Sequence, residues 1–137
     1  MELLYKDLTD SILRTFYDVY NALGFGFHEK VYQNSMYLEL GCRGYKVESQ
    51  KQIKVYYKGC QVGEYFADLI VNECVILELK AAEAIVPEFE MQLINYLRGT
   101  DAEVGLLLNF GKKAEFRRKV FENSRKKDWK MERGQNG

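Results

Sequence analysis

Asp68, Glu78 and Lys80 interrupt a run of strongly apolar residues, Ala67-Asp68-Leu69-Ile70-Val71 followed by Cys74-Val75-Ile76-Leu77-Glu78-Leu79-Lys80. A charge taken out of water is costly unless it is paired or holds a metal. The Val, Ile and Leu content is that of buried strands, and Asn72-Glu73 between the two segments suits a tight turn. Side chains alternate along a strand, so Glu78 and Lys80 share one face while Val75, Leu77 and Leu79 take the other. If the two strands pair, Asp68 lies beside Glu78. Two carboxylates and an ammonium at one spot can bind a hard divalent cation and activate a water. A Glu-x-Lys strand pair alone is usually a solvated neighbour pair. The apolar flanks, and the acid on a preceding apolar strand, set this one apart.

More polar residues stand at telling positions. His28 and Glu29 fall in the first turn of a helix expected from about Phe27 to Cys42. An acid there complements the helix dipole. Glu29 can equally point into the site and help to hold a metal or place a water. Glu88, Gln92 and Tyr96 lie four apart on a helix expected from Pro87 to Arg98. Gln92 and Tyr96 can therefore reach one ligand together, or they form a polar helix edge facing solvent.

The elements that must position these groups follow from periodicity. Leu8, Ile12, Phe16, Val19 and Leu23 make one apolar stripe on a helix over residues 8–23, with Asp7 or Thr9 to cap it and Gly24 to end it. Its reading is plain cover for a sheet. On the second helix Val31, Ser35, Leu38 and Cys42 line one side. Alternation over Lys46 to Tyr57, a turn at Lys58-Gly59-Cys60 and a strand from Gln61 to Val71 give a hairpin, and Cys74 to Lys80 completes an antiparallel meander. Pro87 suits the first turn of the third helix, whose core line is Phe89, Leu93 and Leu97. Strands are expected over Glu103 to Asn109 and, though the period is mixed, over Glu115 to Glu122. The order α-α-β-β-β-α-β-β gives an α/β fold with a mixed central sheet flanked by helices.

The chain has 137 residues, which suits one domain over residues 1–123 and a basic, frayed tail over 124–137. Lys+Arg and Asp+Glu number 20 each, so the balance neither requires nor excludes nucleic acid. No apolar run approaches a membrane helix, and the first residues lack a signal peptide's layout. Cys42, Cys60 and Cys74 are odd in number and widely spaced, which suggests free thiols in a reducing cytoplasm.

Asp68 followed by Glu78-Leu79-Lys80 across a strand-turn-strand spacing resembles the PD-(D/E)XK nuclease superfamily, and the element order resembles its restriction-endonuclease-like core. Gln92-x-x-x-Tyr96 resembles the motif of the RecB-like branch. Gly26, Glu29 and Tyr32 fall on the spacing that names the small GxxExxY family. Ala67 stands where the superfamily name has Pro. The resemblance implies metal-dependent cleavage of phosphodiester bonds in DNA or RNA. It implies that Asp68, Glu78 and the Leu79 carbonyl hold Mg²⁺ or Mn²⁺, with Glu29 as a further ligand, directly or through water. It implies that Lys80 orients the attacking water or stabilises charge, and that Gln92, Tyr96 and His28 position substrate. The competing expectation is a catalytically silent binding module that kept the fold and acts as a homodimer. Its motives are the small size, the neutral net charge and the surplus of Tyr and Phe.

Overall fold

The structure, a computed structural model, describes residues 5–126. Its elements are α1 (Lys6–Leu23), α2 (Glu29–Cys42), β1 (Val47–Tyr57), β2 (Cys60–Val71), β3 (Val75–Lys80), α3 (Pro87–Arg98), β4 (Val104–Phe110) and β5 (Ala114–Val120), followed by a 3-10 turn at Asn123–Lys126. The five strands form one sheet in the order β1-β2-β3-β4-β5. All neighbours are antiparallel except β3 and β4, which run parallel. A parallel pair needs a crossover, and α3 supplies it. The expected α/β architecture with a mixed sheet is what the chain adopts.

Each face of the sheet carries its own core. On one, Ile12, Phe16 and Val19 of α1 and Tyr32, Met36 and Leu40 of α2 pack on Val75, Leu77 and Leu79 of β3 and on alternate residues of β4. On the other, Leu93, Tyr96 and Leu97 of α3 pack on Ile70, Ile76 and Leu107. Leu77 and Leu79 are completely buried. Burying such a side chain contributes about 1.5–3 kcal/mol. β3 and β4, covered on both faces, are the near-continuous apolar runs expected of parallel strands.

The turns set the sheet's shape. Asn72 and Glu73 both take positive φ, 52° and 61°, and the Asn72 side-chain oxygen accepts the Lys46 N–H. Lys58 and Gly59 do the same at 49° and 79°, the geometry that suits right-twisted hairpins. Only Leu69, Ile70 and Val71 of β2 pair with β3, whereas β2 pairs with β1 from Cys60 onward. The outer part of the β1–β2 hairpin therefore stands clear of the sheet.

Three expectations need correction. α2 begins at Glu29, so His28 is the residue before the helix rather than part of its first turn. Its buried face is Tyr32, Met36 and Leu40; Leu38 is 67% exposed and Cys42 is exposed too. The reason is aromatic packing: the Tyr32 ring stacks on Phe110 at 4.3 Å, which rotates the helix towards that line. Residues 124–126, assigned from sequence to the tail, lie in the 3-10 turn. There the Lys126 ammonium is buried against the carbonyls of Thr100 and Ala102, at 3.1 and 2.6 Å. The rest of the expected tail, residues 127–137, lies outside the described residues.

Candidate active site

The ladder between β2 and β3 changes character after the pair Leu69–Leu77. At the next positions side chains take over from backbone. The Asp68 N–H donates to the Glu78 carboxylate at 3.1 Å, and the Leu79 N–H donates to the Asp68 carboxylate at 2.9 Å. The strands part here, and the two acids fill the fork. Both are buried, with Glu78 3% and Asp68 9% exposed.

Burial sets their charge state. It pushes the Asp68 carboxyl above its ordinary value, against the pull of the Leu79 N–H and of Lys80. It raises Glu78 to about 9, and the neighbouring Asp68 charge adds to the effect. Each carboxyl also lies within the other's electrostatic reach, and at neutral pH Glu78 is the one that keeps its proton. Like charges this close in a buried site do not both ionise without a cation.

Lys80 stands at the end of the same strand. Its ammonium donates to the Gln92 side-chain oxygen at 3.3 Å and lies 4.8 Å from the centre of the Phe89 ring. The Gln92 amide in turn donates to the Tyr96 hydroxyl at 2.9 Å. Lys80, Gln92 and Tyr96 thus form one chain from β3 to α3. The Tyr96 phenol is pushed up to about 12, first by burial and then by the Glu78 charge. Glu29 approaches from the opposite layer. Burial raises its carboxyl, Lys80 pulls it down and Asp68 pushes it up, so all three groups share one field. Among the described residues, however, no group of three His, Cys, Asp or Glu side chains is close enough to hold a metal. The structure brings Asp68, Glu78, Lys80, Gln92 and Tyr96 together, with Glu29 at the margin. The His28 side chain is exposed; its carbonyl accepts the Val31 N–H at 3.0 Å.

The position of Glu29 is fixed by its neighbours. The Tyr32 hydroxyl donates to the Gly24 carbonyl at 2.7 Å and accepts the Phe27 N–H at 3.2 Å. That closes the loop between α1 and α2, in which Gly26 takes φ 109°, a region costly for any residue with a Cβ. Gly26 and Tyr32 thereby deliver Glu29 to the start of α2. The Asn109 side chain plays a similar part after Lys80, bonding both the N–H and the carbonyl of Ala82, at 2.9 and 3.0 Å.

Several neighbours of the site were missed from sequence. The charge of Lys30 reaches Asp68. Gln33, one helical turn after Glu29, accepts a bond from Gln50 at 3.3 Å. Tyr65 of β2 leans on Tyr96, ring centres 5.6 Å apart, at the wall of a 550 Å³ cleft that also includes Lys80, Phe89, Met91 and Gln92. For Tyr65 the one signal in the sequence was the density of aromatic residues on the first hairpin; Lys30 and Gln33 on α2 had none.

The donor set at the fork is all oxygen, which suits Mg²⁺ or Mn²⁺ rather than a softer metal. A family model described as the PD-(D/E)XK nuclease superfamily matches residues 6–119. The chain belongs to that superfamily. Its members are typically metal-dependent. A solved structure, that of SSO0001, matches with a TM-score of 0.57 and 17% sequence identity, over 78% of this chain. The match spans 55% of that protein's length, and at this identity it speaks for the fold alone. No match was found among curated proteins. Among the described residues no helix is long and apolar enough to cross a membrane.

Proposed function

We propose that this superfamily member is a metal-dependent nuclease of the GxxExxY family, hydrolysing phosphodiester bonds in DNA or RNA. The observation that carries the reading is the fork itself. Asp68 and Glu78 are buried in mutual contact, with the Lys80 ammonium alongside and Glu29 within the same electrostatic field. A protein with no cation to bind has little use for two acids buried side by side at the fork.

The residues fit a hard cation. Asp68 and Glu78 would hold Mg²⁺ or Mn²⁺ with the Leu79 carbonyl, and Glu29 would act through water. Mg²⁺ commonly keeps several waters and takes only one or two carboxylates, so a preformed three-acid cage is not required. The bound ion would supply a hydroxide-like nucleophile near neutral pH and offset growing negative charge. The protein's own groups do the rest. Lys80 would offset negative charge developing on the phosphate. Gln92, bonded to both Lys80 and Tyr96, fixes the ammonium's direction and offers the scissile strand a polar edge. Gly26 and Tyr32 hold the loop that presents Glu29, which gives the GxxExxY spacing a physical meaning.

The test is cleavage of labelled DNA and RNA by purified protein with Mn²⁺ or Mg²⁺, alongside Asp68→Ala and Lys80→Ala. Cleavage that both variants abolish is the expected result. Folded protein that binds no Mn²⁺ by calorimetry and cuts no substrate would leave a silent binding module instead.

A further inference from the structure

Resting on the nuclease reading above, we propose that the substrate is single-stranded nucleic acid, held by base stacking on Tyr65. The ring of Tyr65 stands between two hollows. One, of 550 Å³, runs from Lys80 past Phe89 and Met91; the other, of 220 Å³, is bounded by Val55 and Arg98. Tyr96 and Asn95 border both. Tyr65 is 51% exposed and Met91 52% exposed, and the hairpin that carries Tyr65 stands clear of the sheet. The ring leans on Tyr96 with ring centres 5.6 Å apart, and its cross-strand partner Ile53 is buried and anchors that part of the hairpin. It is therefore an aromatic plate held in place, bordered by open space and continuous with the catalytic fork through Lys80 and Gln92.

The chemistry of this wall selects its occupant. A duplex presents phosphates outward and keeps its base faces inside the stack, so it is gripped chiefly by Lys, Arg and helix N-termini. Among the described residues around the larger hollow, Lys80 is the one cation, and Glu88 opposes it. Phe89, Met91, Tyr65 and Tyr96 offer apolar and π surface instead. Along a duplex only the two end pairs expose a base face, whereas every base of a single strand has a face free to meet it. Each base stacked on an aromatic side chain adds affinity with little dependence on sequence. The hollow's volume is that of a pocket enclosing a ligand of drug size, the scale of a nucleotide or two. Lys80 lines the larger hollow and Arg98, whose guanidinium also lies over the Phe121 ring at 5.9 Å, lines the smaller, so each hollow has one basic side chain in its wall.

The experiment compares fluorescent single-stranded DNA and RNA oligomers with duplexes of the same sequence. Binding is measured with Ca²⁺, and cleavage with Mn²⁺. The protein is tested as wild type, Tyr65→Ala and Tyr65→Phe, each checked for native folding by circular dichroism. Single strands should bind at least tenfold more tightly than duplex. Tyr65→Ala should lose roughly tenfold in affinity for single strands, one stacked base's worth, and Tyr65→Phe should keep it. Cleavage of duplex in preference to single strands, or an unchanged affinity in folded Tyr65→Ala, would overturn the inference while leaving the nuclease reading intact. Absence of both Mn²⁺ binding and cleavage would remove the nuclease reading, and this inference with it.

Discussion

Replacing Glu78 by glutamine keeps its size and removes its charge, which isolates what the buried pair costs. In the unfolded chain Glu78 ionises near its ordinary 4.5, whereas in the folded protein it keeps its proton until about pH 9. Between those values folding takes up a proton. Stability is therefore highest below the unfolded pKa and falls as pH rises, by about 1.4 kcal/mol per pH unit for one proton. From about pH 5.5 to about pH 8 the loss amounts to ~3 kcal/mol, or roughly 4–7 °C of Tm per pH unit for a chain of this size. Glutamine cannot ionise, so Glu78→Gln should remove that slope and be the more stable protein at alkaline pH. A divalent cation should displace the proton that Glu78 retains. Calorimetry in two buffers of different ionisation enthalpy should then show about one proton released per Mn²⁺ bound near neutral pH. Glu78→Gln should bind Mn²⁺ far more weakly and release none. If the melting profiles of wild type and variant run parallel across this range, or if Mn²⁺ binds without displacing a proton, the account of the fork is wrong.

The remaining predictions concern what holds the site in place. Tyr32→Phe leaves the Gly24 carbonyl and the Phe27 N–H without their partner; urea denaturation should show a loss of about 1–2 kcal/mol, and cleavage should fall as Glu29 is released. Gly111→Ala would drive a Cβ into the Ala82 carbonyl, beside the end of β3. Its activity should drop severalfold more than its stability, which a melt and a rate measured on one preparation would separate. Lys126→Met strips a buried ammonium from the Thr100 and Ala102 carbonyls. It should cost roughly 1–3 kcal/mol in denaturant unfolding without altering Mn²⁺ affinity, because the turn lies away from the fork.

Much of this was legible in one dimension. Charge inside an apolar run has no cheap explanation, which singles out Asp68, Glu78 and Lys80, and alternation along β3 puts Glu78 and Lys80 on one face. The spacing of Gln92 and Tyr96 on α3 gave their shared line, since both facts are local to one element. The mixed sheet followed from element order, because a meander, a crossover helix and a further strand leave few arrangements. Local pattern was less reliable for α2. There the apolar residues are spread around the helix, and only the stack of Tyr32 on Phe110, from the far end of the chain, selects the buried side.

What tertiary structure alone decided is how distant groups meet. No sequence period reveals that side chains of Asp68 and Glu78 replace the ladder where β2 leaves β3, or that burial there keeps Glu78 protonated to about pH 9. Nor does any local rule tell that Tyr65, on a hairpin, ends beside Tyr96 on α3. Periodicity fixes which way a side chain points relative to its own strand or helix. Which elements face each other, and how deeply a charge is buried between them, depends on packing across the whole sheet.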